Sequence, residues 1–83
     1  MTWLEVIEEA FGTTENELHL SEIYKCCLAV ITKKSPEKLN NSNYEAAIRN
    51  TIEVNSIDSE WYNKRNNRFR STKGKGKGYW KMI

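Results

Sequence analysis

Residues 68–83 read RFRSTKGKGKGYWKMI. Three lysines alternate with three glycines, and a short alternating segment flanks them on each side. In RFRS, Phe69 falls on one side and Arg68 and Arg70 on the other; in YWKMI, Trp80 and Met82 share a face. Two such runs around a glycine-rich loop predict an antiparallel β-hairpin. A loose basic tail would give no reason for Tyr79, Trp80, Met82 and Ile83 to follow it. A strand returning to the core does, so the lysine-glycine run is expected to be a loop tip held at both ends.

Helical periodicity dominates upstream. Thr2-Trp3-Leu4-Glu5 is a capping box, with Thr2 at the helix start and Glu5 reaching back to its N–H. Trp3, Ile7, Ala10 and Phe11 follow at helical spacing, flanked by Leu4 and Val6, and Gly12 is a stop. The pattern predicts a first helix over about 3–11. Leu18 and Leu20 would share one face of a short extended segment. Ser21 then reads as the cap of a second helix, SEIYKCCLAVITKK. Ile23, Cys27, Val30 and Ile31 form its stripe, broadened by Tyr24 and Leu28. After a connection containing Pro36, Ser42-Asn43-Tyr44-Glu45 reads as a second capping box. Tyr44, Ala47, Ile48, Thr51 and Ile52 set a third helix over about 43–54. Its other face carries Asn43, Glu45, Ala46, Arg49, Asn50 and Glu53. Asn55, Ser56, Asp58 and Ser59 favour turns after it, because each side chain bonds local backbone. The SIDS run reads as bracing at the end of the third helix, and Trp61 and Tyr62 are expected to pack beneath the hairpin in preference to stacking on an unpaired base.

The order helix, short strand, helix, helix, hairpin specifies an α+β fold of the winged helix-turn-helix type, as one domain over 1–83. In that geometry the third helix enters the DNA major groove and the hairpin forms a wing beside it. Eighty-three residues suffice for a thin core and no deep cleft.

Charge is polarised. Residues 1–48 hold four lysines and eight glutamates, a balance of −4, whereas residues 49–83 hold nine basic and three acidic side chains, a balance of +6. That asymmetry suits a polyanion partner on one side of the molecule. No apolar run approaches the roughly 18 residues of a membrane helix. The acidic, amphipathic N-terminal segment is unlike a signal peptide. A cytoplasmic location is expected, with Cys26 and Cys27 reduced. Adjacent cysteines on a helix point apart and do not bridge each other.

The segment AAIRNTIEVNSIDSEWYNKRNNRFRSTKGKGKGYWKMI resembles the C-terminal half of winged-helix domains attached to bacterial restriction endonucleases, notably HNH-type and modification-dependent ones. The resemblance rests on Ile48-Arg49-Asn50-Thr51-Ile52, on Asn55-Ser56 and Asp58-Ser59, on Phe69 with Ser71, and on a Gly-x-Gly loop before Tyr79-Trp80. LHLSEIYKCC resembles the start of the second helix of that family. Together these cover most of 18–83, and 3–12 more loosely. The resemblance implies DNA binding that delivers, or senses for, a nuclease fused to or associated with the domain. These residues include no nuclease domain, so the expectation is either a domain of a larger protein or a small free-standing one.

Candidate contacts follow from residue chemistry. Arg49 suits guanine and Asn50 suits adenine. Asn43 and Ser42 stand at a helix N-terminus, which favours phosphate. Ala46 lies on the same face. Arg49 also has Glu45 and Glu53 at i,i+4 spacing, so an ion pair along the helix competes with base contact. Lys73, Lys75 and Lys77, with Arg68, Arg70 and Lys81 nearby, form an electrostatic footprint for a phosphate backbone. A Walker loop would lead into a helix rather than a strand, and a kinase-type loop would need a second lobe. With His19 the single histidine, no zinc set is read, no other cofactor is expected, and no catalytic constellation is seen. The expected function is therefore non-enzymatic binding of double-stranded DNA. The alternative is a protein-interaction module of the same fold, and RNA binding is a third option.

Overall fold

A computed structural model of the chain describes residues 1–12, 16–74 and 76–83. They form a small α+β fold with three α-helices and a three-stranded antiparallel sheet. Helix α1 spans Trp3–Phe11, strand β1 Leu18–His19, helix α2 Leu20–Lys34, helix α3 Tyr44–Val54, strand β2 Phe69–Ser71 and strand β3 Tyr79–Met82. A 3-10 helix over Pro36–Asn40 fills much of the connection between α2 and α3.

The expected capping box starts α1: Glu5 N–H donates to Thr2 Oγ1 at 3.1 Å, and Thr2 N–H donates to Glu5 Oε1 at 2.7 Å. Gly12, with φ of 59°, ends the helix. Helix α2 starts differently from the sequence expectation. It opens directly out of β1 with His19 as its cap: Ser21 N–H donates to His19 Nδ1 at 3.1 Å, and His19 N–H donates to Glu22 Oε1 at 3.3 Å. Ser21 therefore lies inside the helix and Leu20 is helical rather than extended. The cause lies in the hairpin, because Leu20 N–H is already held by the Gly78 carbonyl at 2.8 Å. The second expected capping box does not form either. Asn43 caps α3 without a side-chain bond, since the 3-10 helix brings in a turn where Asn43 N–H donates to Asn41 Oδ1 at 3.0 Å.

The hairpin forms where the alternation placed it. Phe69 pairs with Met82, Arg70 with Lys81 and Ser71 with Trp80. Strand β1 pairs on the other side of β3, Leu18 with Trp80 and His19 with Tyr79, giving the order β1-β3-β2. Partners directly opposite share a sheet face. Phe69, Met82, Ser71, Trp80 and Leu18 thus face one way, and Arg70, Lys81, Tyr79 and His19 the other.

The core gathers one stripe from each helix and one strand residue: Val6, Ile7 and Phe11 from α1, Ile23, Cys27 and Ile31 from α2, Ile48 and Ile52 from α3, and Phe69 from β2. Phe11 and Phe69 rings lie 6.0 Å apart at 41°, joining the helical layer to the sheet. Trp3 and Trp80 pack on its margin. Burial pushes the Cys27 thiol up to about 12. Among the described residues no helix is long and apolar enough to cross a membrane, and no group of three or more His, Cys, Asp or Glu side chains could hold a metal ion.

Candidate nucleic-acid interface

The exposed side of α3 is positioned by what it buries. Ile48 and Ile52 are fully buried, which turns Arg49 and Asn50 outward, both exposed. Ser42 and Asn43 are exposed at its start, and Ala46 is half-buried between them and Arg49. Arg49 Nε lies 3.9 Å from Glu53 Oε1 on the next turn, so the competing ion pair is present. It is loose and leaves the Arg49 side chain 57% exposed.

The hairpin is fixed to the end of α3 through the turn-rich segment 55–67. The Asn55 carbonyl accepts from Arg68 and Phe69 N–H, and Asn63 N–H donates to the Val54 carbonyl at 2.9 Å. Asn55 Nδ2 donates to the Thr51 carbonyl at 2.7 Å. Asp58 Oδ2 accepts Ser71 N–H at 2.9 Å, and Ser56 Oγ accepts Asp58 N–H at 3.2 Å. SIDS does brace the backbone, and it occupies a donor on the outer edge of β2. Trp61, expected to pack, does not: it is 66% exposed, on a segment tethered through its backbone. Tyr62 is half-buried.

At the tip, Gly74, Gly76 and Gly78 all have positive φ, at 93°, 77° and 78°. Gly78 has a second requirement, because a Cβ there would approach His19 Nε2 to 3.2 Å. His19 is not the isolated side chain its sequence position suggested. Besides capping α2, its ring meets Tyr79 edge-on at 4.9 Å.

The sequence grouped the hairpin cations together, and the structure divides them. Arg70 stands opposite Lys81 on the outer sheet face, with Arg68 exposed beside them. Lys73 lies over the Tyr79 ring at 5.5 Å, toward that same face, and pairs with Glu17 at 3.0 Å. Lys77 is exposed at the tip, and Lys75 lies outside the described residues. Arg49 stands on the other side of the sheet, where it shares a cleft with Leu20, Glu53, Gly76, Gly78 and Trp80. The tip and the exposed face of α3 therefore do adjoin, through Gly76 and Gly78, whereas Arg70 and Lys73 reach outward from the opposite face.

Glu17 is the residue that sequence reasoning missed. Its carboxylate accepts from the Thr72 hydroxyl as well as from Lys73, and the two donors hold its carboxyl below the usual range, Thr72 with the larger effect. A partner 55 positions away leaves no periodic signal in the chain.

No protein-family model matches this chain, and neither a curated protein nor a solved structure was found that does.

Proposed function

We propose that the chain is a winged-helix domain that binds double-stranded DNA, with α3 in the major groove and the β2–β3 hairpin as the wing. The observation that carries this is the shared cleft: Arg49 of α3 and Gly76 and Gly78 of the loop line one depression. A helix of 11 residues is about 16 Å long, and a major groove about 12 Å wide accepts it end-on or slanted. Arg49 and Asn50 would then meet base edges, and Ser42, Asn43 and Ala46 would lie against the groove wall. Lys77 at the tip, with Lys73, Arg68 and Arg70 on the outer face, would take successive phosphates along the flanking backbone, and Lys75, outside the described residues, is proposed to act with them. Arg68, Arg70 and Lys77 make no ion pair among the described residues, which leaves them available to a polyanion. Delivery to, or sensing for, a restriction-type nuclease is the role the sequence resemblance adds to this proposal.

A gel shift with random-sequence duplex at low salt tests it. Binding is expected, and replacing Lys73, Lys75 and Lys77 together by alanine should weaken all sequences alike, while Arg49→Ala should relax sequence preference. Absence of a shift, or a shift untouched by the triple change, would favour the protein-interaction module instead. The Arg49–Glu53 pair is the observation on that side, since a carboxylate in the groove repels phosphate unless it accepts from cytosine.

A further inference from the structure

Trp61 is large, apolar on most of its surface, and 66% exposed. It is not alone on that surface. Trp61 and Trp80 line one solvent-open depression of about 140 Å³, with Glu53, Asp58, Ser59, Glu60 and Gly76 around them. An engineered void of about 150 Å³ holds a guest the size of benzene. The depression is thus large enough for a compact head group.

Its chemistry selects the charge of that group. Indole faces attract cations more strongly than other aromatic side chains do. Three of the lining side chains are carboxylates, and among the described residues none is a lysine or arginine. The site also sits at the C-terminal end of α3, whose last turn carries no basic residue, and a helix C-terminus bears partial negative charge. The carboxylates are only partly committed. Glu53 has Arg49 at 3.9 Å, Asp58 gives one oxygen to Ser71 N–H, and Glu60 forms no ion pair among the described residues. An anion is excluded by that charge, and a neutral apolar guest would leave the carboxylates unused. A compact ammonium with methyl groups satisfies both kinds of wall, since the methyls lie on the rings and the charge faces the acids.

We infer that the Trp61–Trp80 depression is a binding site for a methylated ammonium group, carried either on an N-methylated lysine side chain or on a small choline-type molecule. The site shares Glu53, Gly76 and Trp80 with the cleft beside Arg49, but its argument uses none of the cations of the duplex-binding proposal, and its failure would leave that proposal standing.

The three indole N–H signals, from Trp3, Trp61 and Trp80, make the test direct. The intact chain is titrated with choline, with N-trimethyllysine amide, and with 3,3-dimethylbutanol, which keeps the shape of choline without its charge. Saturable shifts are expected at Trp61 and Trp80 with both cations, and none at Trp3, whose ring already lies 4.6 Å beneath Lys38. Either order of affinity supports the site, and the tighter ligand names the source. The neutral isostere should bind at least about five-fold more weakly. Trp61→Ala, at an exposed position that leaves the core intact, should cost a similar factor, and Glu60→Gln about two-fold. Three outcomes overturn the inference: no saturable shift at Trp61 and Trp80 up to about 100 mM ligand, equal affinity for the isostere, or unchanged binding by the Trp61→Ala chain.

Discussion

Two neighbouring cysteines illustrate how far one residue's surroundings decide its chemistry. Cys27 is fully buried and its thiol is raised to about 12, first by burial and then by Cys26 beside it; Cys26 is exposed. Thiolate is the reactive form. Iodoacetamide at mild alkaline pH should therefore add to one cysteine per folded chain, and peptide mapping should find it at Cys26. Rapid addition at Cys27 without denaturant would contradict the packing. Phe69 is the other decisive residue, fully buried and in contact with Phe11 across the helix–sheet junction. Phe69→Ala should cost about 3–5 kcal/mol in urea unfolding, which is a large share of what a small domain has. A loss below about 1 kcal/mol would place the core elsewhere. Both residues were legible beforehand, Cys27 from the helical stripe and Phe69 from strand alternation. Trp61 was not, because neither periodicity nor propensity says which of several aromatics receives the limited core space of a small domain.

Elements were read well wherever a period ran for several residues. Helix α1 matched to the residue, α3 to within one, and the hairpin in both strands. Helix starts set by hydrogen bonds outside the periodic pattern are not legible: α2 begins at Leu20 because Gly78 holds that N–H, and α3 has Asn43 as its cap, whose own N–H is held by Asn41, in place of the expected Ser42. The Glu17 clamp belongs to the same class, joining the approach to β1 with the hairpin loop. Its carboxyl is lowered in the folded chain, so the anchor is complete above the ordinary carboxylate value of 4.5 and is lost as pH falls through the lowered one. The Thr72 and Lys73 amide signals should then titrate with a midpoint below 4.5, and Glu17→Gln should remove that transition. A midpoint at or above 4.5 would mean that the clamp is not formed in solution.

At the level of the whole molecule, the decisive feature is the separation of charge, −4 over residues 1–48 and +6 over residues 49–83. Folding places the positive half on α3 and on both sides of the hairpin, with Glu17 and Glu53 each drawn against one of its cations. About five or six phosphate contacts would give a slope of about −4 to −5 in log K against log salt. Affinity that stays level between low and high salt would remove the electrostatic basis of the proposal. Composition announced the cationic half, but only the sheet register shows that Arg70 and Lys81 share a face turned away from Arg49. Duplex binding of the proposed kind requires α3 and the hairpin tip to engage one ligand together. Mapping amide shifts while titrating duplex DNA tests this most directly. Changes concentrated at 42–50 and 72–78 at the same DNA concentrations are predicted; changes at only one of the two, or none at either, would contradict it.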